Sequence, residues 1–152
     1  MMCCFHPVEM RIYSKKCLDL FLSNLKYEMN PKNSKPEFNV IAGALEGLSN
    51  YLVEHSSTDD DEDDQISKDI FDYVNKALCH RTEDVNRYAM PRAALNLFTK
   101  HACNFDKFIY LNYKELFERI KKWAEHKNYD MKKQAYLALD SYYNQVILLI
   151  IH

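Results

Sequence analysis

A chain of 152 residues is long enough for one unit that buries most of its apolar surface and too short for two comfortable ones. Apolar residues at 47% and charged residues at 28% exclude a chain that is disordered throughout. Two glycines, Gly43 and Gly47, and four prolines are too few for the hairpin turns of an antiparallel β protein, and a formal charge of -2 excludes a dedicated, strongly basic nucleic-acid domain.

Residues 1–14 carry no clear helical period and are expected to be irregular or foreign to the rest of the chain. Cys3, Cys4 and His6 cluster there, but a zinc site takes four ligands at characteristic spacing, so free thiols and no metal are expected. The five cysteines form an odd set with no repeating spacing and no signal peptide before them, which points to a reducing compartment.

From residue 15 the spacing becomes helical. A first helix is predicted over about 15–29, carried by Cys17, Leu18, Phe21, Leu22 and Leu25 and ended by the breakers Asn30 to Pro36. The second, over about 37–54, has the stripe Ile41, Ala44, Leu45, Leu48 and Leu52. An acidic link over 56–64 follows, with six carboxylates from Asp59 to Asp64; setting them aside turns the balance from -2 to +4. Its plain reading is a solvated loop held open by repulsion. A functional reading makes Ser56, Ser57 and Thr58 targets of an acid-directed kinase, or the run a mobile arm for a basic partner. A calcium loop is disfavoured because the turning glycine of an EF-hand is missing.

The third helix, about 65–80, aligns Ile66, Ile70, Phe71, Val74, Ala77 and Leu78. A fourth, about 88–102, contains Ala94, Leu97, Phe98 and His101, and Pro91 starts or kinks it. The fifth covers about 108–125 with Leu116, Phe117, Ile120, Trp123 and Ala124. The sixth covers about 129–147 with Met131, Ala135, Ala138, Leu139, Tyr142 and Val146, and an apolar tail 148–152 closes the chain. The longest purely apolar run, Val146 to Ile151, is far short of the ~20 residues that cross a bilayer, so no membrane partner is expected.

The helices repeat in pairs. Asp130-Met131-Lys132-Lys133-Gln134-Ala135 followed by Ala138-Leu139 echoes Asp84-Val85-Asn86-Arg87-Tyr88-Ala89 followed by Ala94-Leu95, 46 positions earlier. A degenerate copy begins near Glu37, a further 47 positions back. Both intervals fall in the HEAT range of about 40–47. The expected fold is therefore all-α, an α-solenoid of about three antiparallel HEAT-type helix pairs over 15–147, with small alanines letting helices approach and each aspartate capping a second helix.

Several strings are more specific than a generic HEAT pattern. Val40-Ile41-Ala42-Gly43-Ala44-Leu45-Glu46-Gly47-Leu48-Ser49, Arg87-Tyr88-Ala89-Met90-Pro91 and Lys122-Trp123-Ala124-Glu125-His126 resemble the amino-terminal HEAT region of the DNA-dependent protein kinase catalytic subunit family, over about Leu18 to Val146. The resemblance implies a non-catalytic scaffold segment that helps shape a surface for double-stranded DNA ends and the Ku heterodimer, in nuclear double-strand break repair by non-homologous end joining. It also implies a large parent protein whose serine/threonine kinase domain, of the PI3K-related type, lies elsewhere. A free-standing HEAT adaptor for a protein partner in transport or phosphatase assembly is the alternative.

Catalytic chemistry finds no support in the residues. No phosphate-covering glycine loop, metal-binding aspartate motif or catalytic loop can be read, so no catalytic residue, cofactor or small-molecule substrate is expected. Cys79 beside His80 is not a nucleophile–base pair, since adjacent helical side chains diverge; a buried thiol is expected. The tyrosines and phenylalanines fall mostly on the apolar stripes and read as core rather than as stacking platforms. Lys15-Lys16, Lys32, Lys35, Lys121-Lys122 and Lys132-Lys133 are the available positive positions. Of these, Lys32, Lys35, Lys121, Lys122, Lys132 and Lys133 are the expected contacts to a phosphate backbone or partner, tracking it from equivalent places on successive repeats along one concave groove.

Overall fold

The computed structural model of the chain describes residues 7–54, 61–79 and 87–151. Among them are six α-helices and no strand: α1 (Pro7–Glu28), α2 (Phe38–Glu54), α3 (Asp61–Cys79), α4 (Ala89–His101), α5 (Asp106–Ala124) and α6 (Tyr129–Ile151), with a 3-10 turn at Ala102–Phe105. The fold is all-α, as the spacing predicts.

Within each pair the helices pack against each other, α1 on α2, α3 on α4 and α5 on α6. Successive pairs then stack, chiefly through α2 on α4 and α4 on α6, with a lesser contact of α3 on α5. The second helices α2, α4 and α6 therefore carry most of the stacking between pairs. The predicted stripes supply the core: Leu45, Leu48, Ile70, Val74, Leu97, Phe98, Leu116 and Ile120 are all fully buried. Burying each large apolar side chain contributes roughly 1.5–3 kcal/mol. Ala94, Ala135 and Ala138 are fully buried between the helices they allow to approach. The middle helix, α4, is covered on both sides and buries eight of its residues.

The ends of the elements depart from the sequence reading. Residues 7–14, expected to be irregular, form the first turns of α1, which opens on Pro7; proline is favoured in a first helical turn, where its missing N–H costs no bond. The acidic link expected over 56–64 is shorter, because α3 already begins at Asp61. Acidic residues favour the N-terminal turn of a helix, where they complement its dipole. The tail expected at 148–152 continues α6 to Ile151, since no glycine or proline stops it.

Pro91 starts rather than kinks its helix. It is the third residue of α4, where backbone N–H groups have no intrahelical acceptor, and the Tyr88 carbonyl accepts from the Arg92 N–H at 3.0 Å. The kink lies instead in α5, at Asn112 with φ -128° and ψ 20°. Two side chains bond to carbonyls on either side of this break: Asn112 Nδ2 donates to the Phe108 oxygen at 3.2 Å, and the Tyr142 hydroxyl donates to the Tyr113 oxygen at 2.9 Å. Asp130 does not cap α6. The Asn128 side chain accepts from the Met131 N–H at 3.1 Å, and Asp130 turns to Arg92 of the neighbouring repeat at 3.1 Å. Asp84 lies outside the described residues.

Candidate interaction surface

Antiparallel pairing brings the connections between first and second helices to one edge of the array. Arg87, just before α4, lies with its guanidinium carbon 5.1 Å from the ring centroid of Phe38 at the start of α2. The Arg92–Asp130 pair joins the starts of α4 and α6. On the opposite edge, Asp64 near the start of α3 pairs with Lys107 at the start of α5, at 2.9 Å. Consecutive second helices therefore run parallel, and their N-termini share an edge.

A buried joint holds that edge together between the second and third pairs. Trp123, near the end of α5, is 2% exposed, and its Nε1–H donates to the Leu78 oxygen at 2.9 Å. Leu78 is in the last turn of α3, where carbonyls have no intrahelical donor, so the indole caps the neighbouring helix. The His126 ring lies 5.3 Å from the Trp123 ring and 5.1 Å, edge-on, from the Tyr88 ring. Its Nδ1 accepts from the Asn128 N–H at 3.1 Å; in the neutral ring the proton then sits on Nε2, facing the Tyr88 hydroxyl at 3.4 Å. Two of the specific strings singled out in the sequence, 87–91 and 122–126, thus meet in space. No sequence signal short of a fold could have joined residues 38 positions apart.

The six expected contact lysines distribute along this same edge. Lys32 and Lys35 are exposed on the α1–α2 connection, Lys121 and Lys122 are exposed in the last turn of α5, and Lys132 and Lys133 are in the first turns of α6, Lys133 exposed and Lys132 half-buried. A groove across α2, α4 and α6 is walled by Glu46, Ala89, Arg92, Ala93, Asn96 and Gln134, and none of those lysines lines it. Ser56, Ser57 and Thr58 lie outside the described residues, as do Cys3, Cys4, His6 and His80.

The other groups with chemical potential are accounted for by packing. Ser49 and His101 are each 6% exposed and meet at 3.1 Å between α2 and α4. Burial pushes the His101 pKa below its ordinary value, and Lys100 adds to the effect, against the contrary pull of Ser49. This hydroxyl and imidazole lie inside a packed layer, where they satisfy each other. Cys79 is exposed rather than buried, because it falls at the last residue of α3, past the apolar stripe. Among the described residues no three metal-ligating side chains converge, and no helix is long and apolar enough to cross a membrane.

Comparison with known proteins fits this architecture to a family. The family model described as DNA-PKcs, N-terminal, matches residues 1–152. The DNA-dependent protein kinase catalytic subunit of Xenopus laevis is 44% identical over 144 residues, covering 95% of this chain and 3% of the relative. That of Canis lupus familiaris is 41% identical over 145 residues, covering 95% and 4%, and that of Gallus gallus 37% identical with the same coverage. The chain thus spans only 3% to 4% of the length of these relatives. An all-helical stack of antiparallel pairs, matched along its whole length by one family model, belongs to the amino-terminal family of the DNA-dependent protein kinase catalytic subunits.

Proposed function

We propose that this chain is a non-catalytic scaffold segment of a DNA-dependent protein kinase catalytic subunit. In the nucleus it shapes a surface for double-stranded DNA ends and the Ku heterodimer during double-strand break repair by non-homologous end joining. The observation that carries the reading is the single edge on which α2, α4 and α6 begin and on which Lys32, Lys35, Lys121, Lys122, Lys132 and Lys133 stand. Parallel helix N-termini point backbone N–H groups outward and favour negative charge. Lysines beside them supply charge on flexible stems. Such a surface contacts a phosphate backbone without reading base sequence.

In this reading stacking is the mechanism. Each pair buries its apolar face on the next, so the edge is held rigid by the core and by the Trp123 joint rather than by a ligand. The reading assigns the chain no catalytic residue, cofactor, metal or small-molecule substrate; its partners are DNA, Ku and neighbouring HEAT repeats. Family membership favours it over an adaptor for transport or phosphatase assembly.

The test is retention of the chain on Ku-loaded double-stranded DNA, with and without Lys132→Glu and Lys133→Glu together. Retention is expected to fall several-fold, and the slope of log affinity against log salt to flatten by about 0.9 for each phosphate no longer neutralised. Unchanged retention and slope, in a double variant that melts like the parent chain, would count against the edge.

A further inference from the structure

We propose that the groove across α2, α4 and α6 is a docking site for an extended peptide segment held by its main chain. This goes beyond the DNA-facing reading and uses none of its six lysines.

The groove exists because the middle helix presents small residues there. Ala89 and Ala93 line it from α4, with Asn96 about one turn further along the same face, while Glu46 reaches it from α2 and Gln134 from α6. It encloses about 290 Å³, small for a metabolite or cofactor. Methyl groups at Ala89 and Ala93 let a partner's backbone come close to the helix. α4 buries eight of its residues, so this surface is fixed before anything docks on it. A rigid surface binds without the entropic cost of ordering itself first.

Hydrogen-bonding pattern selects the occupant. Among the described residues the side chains of Glu46, Asn96 and Gln134 make no hydrogen bond or ion pair, and Asn96 and Gln134 are half-buried. A carboxamide donates through its nitrogen and accepts through its oxygen, and a carboxylate only accepts. An extended main chain presents the matching set, N–H and C=O groups free along its edge, whereas a helix has already paired its own. Phosphate oxygens only accept, so they would leave Glu46 and both carboxamide oxygens unmatched. Charge does not override this. Arg92 lines the groove paired with Asp130 at 3.1 Å, and Lys100 and Lys133 are exposed on α4 and α6 outside the lining. With Glu46 these groups come close to balancing, so the groove gains little by attracting either sign.

Random dodecapeptides displayed on phage would be selected on the 152-residue chain and counter-selected on a double variant, Asn96→Leu with Gln134→Leu, shown to melt like the parent. A synthetic copy of a recovered peptide should bind saturably without gaining helical circular dichroism. Methylating its main-chain nitrogens one at a time should weaken binding about tenfold at the bonded positions, and the double variant should weaken it about as much. The methylation series alters only the peptide, so the test stands even where the double variant fails to fold. A peptide that turns helical on binding, affinity indifferent to methylation, or no enrichment overturns the proposal. So does displacement of the peptide by a double-stranded oligonucleotide, which would put phosphate in the groove. Peptide binding is read without DNA or Ku, so its failure and the failure of DNA retention are separate results.

Discussion

Replacing Trp123 by Phe tests the joint between the second and third repeats. The substitution removes the Nε1–H that caps Leu78 at 2.9 Å and leaves that carbonyl facing a site only 2% exposed. An unsatisfied buried acceptor costs about 1–3 kcal/mol. Loss of part of the indole adds a smaller cavity term, since complete truncation of a buried Trp or Phe to Ala costs about 3–5 kcal/mol. About 2–3 kcal/mol is therefore expected for Trp123→Phe, which at about 2–4 °C per kcal/mol for a domain of this size lowers Tm by roughly 4–12 °C. The assay is far-ultraviolet circular dichroism during heating and urea titration, with hydrogen exchange to place the loss. In a quasi-linear array the damage should be local, so α5 and α6 should exchange earlier than α2 and α4. A melt within about 1 °C of the parent would refute the cap; a uniform rise in exchange across all helices would refute the idea of a local joint.

Gly47→Ala should destabilise, because an added Cβ would lie 2.6 Å and 2.7 Å from two ring carbons of Phe21. Overpacking of about 1–3 kcal/mol exceeds the roughly 1 kcal/mol gained in helix propensity, and Phe21→Leu in the same chain should recover most of the loss in urea titrations. Stability should fall in acid through His101. Its folded pKa is depressed, so the unfolded chain binds the proton first; the contribution is complete above the unfolded value of about 6.5 and is lost as pH falls below it, and His101→Gln should flatten that part of a Tm-against-pH curve. Arg92 and Asp130 are about half exposed, and a double-mutant cycle should return under ~1 kcal/mol, shrinking further in high salt. Tyr110, Leu111, Ile147 and Ile150 leave an apolar face open beside the end of α6, so the isolated chain should self-associate with concentration in sedimentation velocity, and Leu111→Lys with Ile150→Lys should reduce that.

Much of the architecture is legible in the sequence because burial writes itself into local spacing. Ile70, Phe71, Val74, Ala77 and Leu78 are all buried on α3 as their period requires, and Ala135 and Ala138 sit where the repeat places small residues. Helix ends are less legible. Asp130 carries the right chemistry for a cap, yet Asn128, two residues earlier, provides it, because the better acceptor position depends on the path of the connection. The acidic run reads as a loop because charge argues for solvent, while its later half starts a helix whose dipole favours those same residues. The edge is less legible still. The lysines on it come from the α1–α2 connection, the end of α5 and the start of α6, and nothing in their local sequence says that these places coincide.

The sequence by itself determined the helices, their pairing and the family, since each rests on residues a few positions apart or on strings that repeat at a fixed interval. Tertiary structure alone decided that Tyr88 meets His126, that Trp123 closes the end of α3, and that lysines from two separate connections share one side of the stack. The physical reason is range. A helix reports its own buried stripe every three or four residues, whereas a contact between repeats is set by how two whole faces interlock, and no single stretch of chain contains both faces.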